Sequence, residues 1–253
     1  EALLNAARQH QFDPTGWESE VNVNCLLIDT GSRRILFDVG IGSPALYPQS
    51  GYLRDSLRAA GVEAEEVDSV IFTHGHWDHV AGLADAEGSL LFPNASYLMQ
   101  MEEWAFWTDK TNVSLLNPAF ADFDPISFER LALIADRMRV FAAEEEILPG
   151  IQALPAQGHT PGHSAFLIES ESQRLLHISD LIHETLHFEY PDWVTSVDID
   201  PKRTPASRRK IFTRAADEKL LVFGCHTPHF GLGHIVASGA AWRWEPTHQE
   251  IDR

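Results

Sequence analysis

Cysteine is scarce in this chain. Two thiols, Cys25 and Cys225, in 253 residues build no disulfide framework, so an ordinary hydrophobic core must hold the fold. Basic residues are also few. Nineteen Lys and Arg stand against 37 Asp and Glu, for a net charge of −18. A surface this acidic repels a phosphate backbone, which sets nucleic acid aside as a partner. No apolar run approaches the roughly 20 residues that a membrane span requires. Low-complexity linkers and internal repeats are missing too. With 44% hydrophobic residues, the expectation is one domain over residues 1–253 with a full core. The first residue is Glu1, so the native start is expected to lie upstream, with a removed leader or a lost first strand left open, and the cytoplasm is the expected location.

What the chain has instead is histidine, concentrated in one place. Residues 74–79 read His-Gly-His-Trp-Asp-His, directly after the apolar run Val70-Ile71-Phe72. In an extended segment His74 and His76 point the same way, and Asp78 and His79 follow where the chain turns. Imidazole nitrogen and carboxylate oxygen are the usual ligands of zinc and its first-row neighbours. Further candidates sit beyond strand-like runs or in glycine-bracketed turns, where α/β folds place ligand-binding residues. His163 lies in Gly158-His159-Thr160-Pro161-Gly162-His163. Asp180 ends the run Leu175-Leu176-His177-Ile178-Ser179, and His226 follows Leu220-Leu221-Val222-Phe223-Gly224-Cys225.

The four pieces, in this order, resemble the metallo-β-lactamase superfamily from about Val21 to Ile235. The resemblance implies an α/β fold, the four-layer αβ/βα sandwich of two mixed sheets with helices outside. It implies two divalent metal ions per chain, zinc first, with manganese, iron or cobalt as alternatives. One ion would use His74, His76 and His163, the other Asp78, His79 and His226, with Asp180 bridging. A water between two such ions is a hydroxide near neutral pH, so the implied activity is hydrolysis, with Asp78, Asp180 and His183 in the catalytic machinery. Asp38, in Asp38-Val39-Gly40, resembles the family's aspartate that supports a ligand from behind. His226 competes with His229 and His234 nearby, and His159 is expected to bond within its own loop. Cys225, one residue before His226, is expected to point the other way, into the core.

Within the superfamily, Ser179-Asp180-Leu181-Ile182-His183, Phe188 and the segment Gly224–His234 resemble the organophosphate-hydrolase and N-acyl-homoserine lactonase branch. The lactonases often carry tyrosine three residues after the bridging aspartate, where this chain has His183. The implied substrate is a small lactone, aryl ester or phosphotriester. A glyoxalase II-like thioesterase is the runner-up, and a non-catalytic metal-binding scaffold is the rival from another class. Trp77, Trp104, Trp107, His183 and Phe188 are the expected substrate contacts.

Hydrophobic spacing predicts strands over 21–28, 34–37, 67–72, 96–99, 151–154, 165–169, 174–178 and 220–223, with a last strand through Trp242-Arg243-Trp244. Helices are expected over 51–60, 205–216 and from Ser127 to about Val140. Residues 100–148, dense in aromatics, read as an insertion beside the active site and a candidate homodimer surface.

Overall fold

The computed structural model describes residues 22–43, 45 and 49–247, with His229 described by its backbone alone. Val21, expected to open the first strand, lies outside them. Two sheets organise the chain. The first takes β1 (Leu26–Asp29), β2 (Arg34–Phe37), β3 (Ser69–Ile71), β4 (Ser96–Gln100) and β5 (Met138–Phe141), in that order across the sheet. The β1–β2 hairpin is antiparallel and the other pairings are parallel. Its turn is closed by Gly31 N–H donating to Asp29 Oδ1 at 2.7 Å.

The second sheet holds β6 (Glu146–Leu148), β7 (Ile151–Pro155), β8 (Ser164–Ser170), β9 (Gln173–His177), β10 (Leu221–Phe223), β11 (Leu232–Ser238) and β12 (Ala241–Pro246). It runs β12-β11-β10-β9-β8-β7-β6, antiparallel except for the parallel β9–β10 pair.

Side-chain alternation assembles four layers from these sheets. Ile35 and Phe37 face one way and meet Ile71, Leu98, Ile151 and Phe166 between the sheets. Leu36 faces the other way, with Val70 and Tyr97, onto the outer helices α1 (Leu53–Ala59), α3 (Met101–Thr108) and α4 (Asp124–Ala132). Between α1 and α3 lies the short α2 (Trp77–Val80). On the far side, Leu167, Leu176 and Val222 pack under α5 (Leu186–Glu189) and α6 (Thr204–Asp217) through Phe188, Ile211 and Phe212. Each fully buried side chain of this size contributes roughly 1.5–3 kcal/mol.

Two expectations are corrected here. The helix expected to run to Val140 ends at Ala132, and Met138–Phe141 is an edge strand pairing with β4. Leu131, Ile134 and Met138 fit a helical stripe, but a 3₁₀ turn at Ala135–Arg137 intervenes, so the apolar residues serve two elements. Residues 100–148 therefore contribute a strand to each sheet besides their helices. No helix among the described residues is long and apolar enough to cross a membrane.

Candidate metal centre

The strand ends converge between the two sheets' carboxyl edges. β3 ends at Ile71, and the next residues place His74 and His79 in full burial with His76 nearly so. Gly75 between them must be glycine, because a Cβ there would lie 2.3 Å from the Trp107 ring. Asp38 follows β2 with φ of 58°, a left-handed conformation that aspartate tolerates. Its Oδ1 accepts Thr73 N–H at 2.8 Å, and its Oδ2 accepts the Thr73 hydroxyl and His79 Nδ1–H, each at 2.9 Å.

Most of the imidazoles here have one nitrogen committed outward and the other turned inward. His74 Nδ1 lies 3.1 Å from Thr73 Oγ1, His226 Nδ1 lies 2.6 Å from the Asn22 carbonyl, and His159 Nδ1 lies 3.1 Å from Asp198 Oδ1. Such outward acceptors fix the tautomer and aim the ring. Inward, His159 Nε2 lies 2.8 Å from His76 Nδ1 and 3.2 Å from His74 Nε2, and His74 Nε2 lies 3.1 Å from His76 Nδ1. With the N–H groups of His74 and His159 used elsewhere, lone pairs face one another, an arrangement that calls for a shared cation.

Asp180 stands at the middle. Its Oδ2 is 3.0 Å from His226 Nε2, 3.6 Å from His159 Nε2 and 3.7 Å from His74 Nε2, while Oδ1 is 3.2 Å from His79 Nε2. Asp78 Oδ2 lies 3.6 Å from His79 Nε2 and 3.7 Å from His226 Nε2. His79 Nε2 and Asp180 Oδ1 are buried without a hydrogen-bond partner among the described residues. Orphaned buried polar atoms are costly, and a divalent cation between them would satisfy both.

The electrostatics agree. Burial opposes the charge on Asp180, but His226, His79 and His74 hold its carboxyl well below the usual range. Burial also opposes protonation of His79, yet Asp180, Asp78 and Asp38 raise it well above the ordinary imidazole value, and against burial Asp180 pushes His226 up to about 9. On the other side, burial lowers His74 and His159 and brings His76 to about 4. One half of the cluster is thus neutral nitrogen, and the other half is carboxylate field held by protons that metal binding would displace.

The structure departs from expectation at several residues. His163, expected as the third ligand of the first ion, stays beside the cluster, its ring 5.3 Å from that of His74 and 5.4 Å from that of His159. Its Nδ1–H donates to Ala156 O at 2.9 Å, and its Nε2 accepts Asp180 N–H at 3.2 Å. His159 takes the facing position, so its side chain does not bond within its own loop. His163 instead braces the backbone of Asp180. Phe188 is fully buried, stacked on Trp244 at 5.4 Å and against Phe212 at 4.9 Å, and presents nothing to a substrate. Trp107 is equally buried and donates Nε1–H to Glu103 Oε1 at 2.7 Å. Trp104 is half-buried against the outer core, and Trp77 stacks on Phe123 at 4.5 Å. His183 lies over the cluster, Nε2 3.6 Å from Asp180 Oδ2, with its ring stacked on His226 at 5.5 Å. His234 bonds Leu220 O at 2.9 Å, away from the site. Cys225 is not directed away from the cluster either. It sits in a turn after β10, where strand alternation no longer applies.

Two residues escaped the sequence reading. Glu103 on α3 is fully buried and ties the two histidine loops together. Its Oε1 accepts Gly75 N–H at 2.9 Å, and its Oε2 accepts the Thr160 hydroxyl at 2.7 Å and Gly162 N–H at 2.8 Å. Arg208 on α6, also buried, donates to the Leu181, Pro191 and Trp193 carbonyls, and so holds the segment that carries His183. An isolated Glu or Arg on a helix carries no signal of such burial.

Comparison with known proteins places the chain in one superfamily. The model of the metallo-β-lactamase superfamily matches residues 19–226. The solved structure of AidC, a dizinc quorum-quenching lactonase in complex with a product N-hexanoyl-L-homoserine, superposes with a TM-score of 0.88 at 28% identity, covering 98% of this chain and 86% of that one. The hydrolase AbOPH superposes with a TM-score of 0.87 at 26% identity, over 97% and 86% of the two chains. An N-acyl homoserine lactonase of Bacillus cereus is 23% identical over 221 residues, 80% of each chain.

Proposed function

The chain belongs to the metallo-β-lactamase superfamily, and from that premise we propose a dinuclear metal-dependent hydrolase that opens lactone rings, with N-acyl-homoserine lactones as the leading substrate class. The observation that carries this reading is the position of Asp180 between two donor sets. His74, His76 and His159 would hold one ion, and Asp78, His79 and His226 the other, with the carboxylate shared. Zinc is the ion assigned, and manganese, iron and cobalt fit the same nitrogen and oxygen donors. When bound, such ions supply Lewis acidity and lower the pKa of water from about 15.7 towards about 7.

The chain's own groups do the rest. Asp78, with 20% of its side chain exposed, lies at the solvent side and accepts the proton released as the tetrahedral carbon forms. Burial holds His183 well below the ordinary imidazole value, so the ring is neutral and carries one N–H. That N–H donates a hydrogen bond to the ring oxygen as the C–O bond breaks, in the place where the lactonases often present a tyrosine, and the proton taken up by Asp78 passes to the departing alkoxide. The Trp77–Phe123 pair offers an apolar surface to an acyl chain. The thioesterase alternative calls for basic groups at the site. Among the described residues, every ion pair of Asp78 and Asp180 is with histidine, which favours an uncharged substrate.

The test is the ring-opening rate of a medium-chain acyl-homoserine lactone by metal-reconstituted protein at neutral pH, with metal content measured on the same sample. A kcat/KM of about 10⁴ M⁻¹s⁻¹ or above lies in the ordinary enzyme range and supports the reading. Negligible turnover at full metal content refutes lactone hydrolysis and favours the second reading, phosphotriester hydrolysis, which the likeness to AbOPH supports.

A further inference from the structure

The proposed pair of ions leaves one donor out of account. Cys225 is fully buried, and its Sγ belongs with His79, Asp180 and His226 to a group whose ligand atoms all lie within 4.8 Å of one another. The backbone explains why. Strand β10 ends at Phe223, and the Thr227 hydroxyl donates back to Gly224 O at 2.8 Å. The chain therefore turns through Cys225 and His226 rather than alternating, and both side chains reach the same cluster. The turn is also pinned from outside. The Cys225 carbonyl accepts Asn24 N–H at 3.0 Å and the Asn24 side-chain amide at 2.8 Å.

A second observation points to a ligand at the same spot. His79 Nε2 and Asp180 Oδ1, both members of this group, belong to the buried atoms left without hydrogen-bond partners among the described residues. Their rings and carboxylate cannot turn elsewhere, because His79 Nδ1 is held by Asp38 and Asp180 Oδ2 is engaged by His226. A thiol, a carboxylate oxygen and two imidazole nitrogens are all donors that zinc takes, and with Asp78 at the solvent side they make a five-donor set.

We propose that Cys225 is a thiolate ligand of the ion held by His79, Asp180 and His226. This deepens the dinuclear reading and rests on it. Coordination replaces the thiol proton, which leaves to solvent, and involves no change of oxidation state. The consequence is unequal subsites. The His74–His76–His159 side offers nitrogen alone besides the shared carboxylate, whereas the Cys225 side adds a soft sulfur. The sulfur subsite should take zinc, cobalt or cadmium in preference to manganese or magnesium.

Cobalt(II)-reconstituted holoprotein tests this directly. The expected result is a thiolate-to-cobalt charge-transfer absorption in the near ultraviolet, absent from Cys225→Ser and Cys225→Ala and retained in Cys25→Ala. Cadmium affinity should also fall at least about tenfold in Cys225→Ser, the low end of what loss of a supporting group costs a metal site. Two cobalt ions bound with no such absorption, or an absorption unchanged in both Cys225 variants, overturns the thiolate ligand and leaves the dinuclear reading standing. A wild-type protein that takes up no cobalt, zinc or cadmium overturns both.

Discussion

Removing Glu103 should disable the site without touching a ligand. Its carboxylate accepts four hydrogen bonds, from Gly75 N, Trp107 Nε1, the Thr160 hydroxyl and Gly162 N, at 2.7–2.9 Å. Gly75 lies between His74 and His76, and Thr160 and Gly162 follow His159, so one side chain sets the distance between the loops that bring these imidazoles together. Burial raises the carboxyl pKa, and the four donors work against that rise.

In Glu103→Ala two backbone N–H groups and an indole N–H lose a buried acceptor, while the Thr160 hydroxyl can rotate. Each stranded donor costs about 1–3 kcal/mol, offset in part because a buried charge is also removed. The expected net loss is about 3–5 kcal/mol, at the diagnostic end of single substitutions. Glu103→Gln keeps one acceptor oxygen but turns an NH₂ towards Gly162 N–H or Gly75 N–H, so about half that loss is expected. The assay is denaturant unfolding of metal-free protein, followed by titration with zinc. The weaker zinc equivalent should suffer most, since only the nitrogen subsite depends on both loops. An alanine variant within about 1 kcal/mol of wild type, binding both equivalents unchanged, would refute the argument that this carboxylate sets the geometry.

Three further outcomes follow from the same geometry. Asp180→Asn removes the shared charge and should lower metal affinity by about 100-fold or more, read by equilibrium dialysis together with turnover. His183→Ala should cut kcat by about 10²-fold, the low end for loss of one hydrogen-bond donor to a developing oxyanion, with metal content unchanged. Loss of metal instead would make His183 a ligand. Burial, then Arg208, lowers His187 to about 3, below the usual value of about 6.5. The unfolded chain therefore binds the extra proton first, and stability falls as pH drops below the unfolded pKa. Lowering the pH from 7 to 5 should cost wild type about 2 kcal/mol more than His187→Asn, measured by denaturant unfolding at each pH.

The parts of the site that were legible in the sequence are those where local order dictates direction. An extended His-x-His segment presents both rings on one side, and Asp180 and His226 each follow a strand-like apolar run. Most strands followed from the same periodicity and the four-layer arrangement from the family resemblance, while Met138–Phe141, Glu146–Leu148 and Leu232–Ser238 escaped the pattern. What stayed hidden depends on contacts between distant residues. His159 and His163 flank one Pro-Gly turn with the same chemistry. Ala156 O orients His163 and Asp198 orients His159, and the two rings lie 5.3 Å and 4.8 Å from that of His74, so both stand beside the cluster. Phe188 could have lined the pocket or filled the core, and the ring of Trp244, 56 positions on in the chain, settles it for the core. Cys225 shows the limit of alternation as a rule. It holds only while the chain stays extended, and the turn at Gly224–Thr227 ends the strand one residue before the thiol. The same turn that defeats the pattern brings a sulfur beside His79 and Asp180, so the failure of the local rule and the asymmetry proposed for the two subsites have one physical origin.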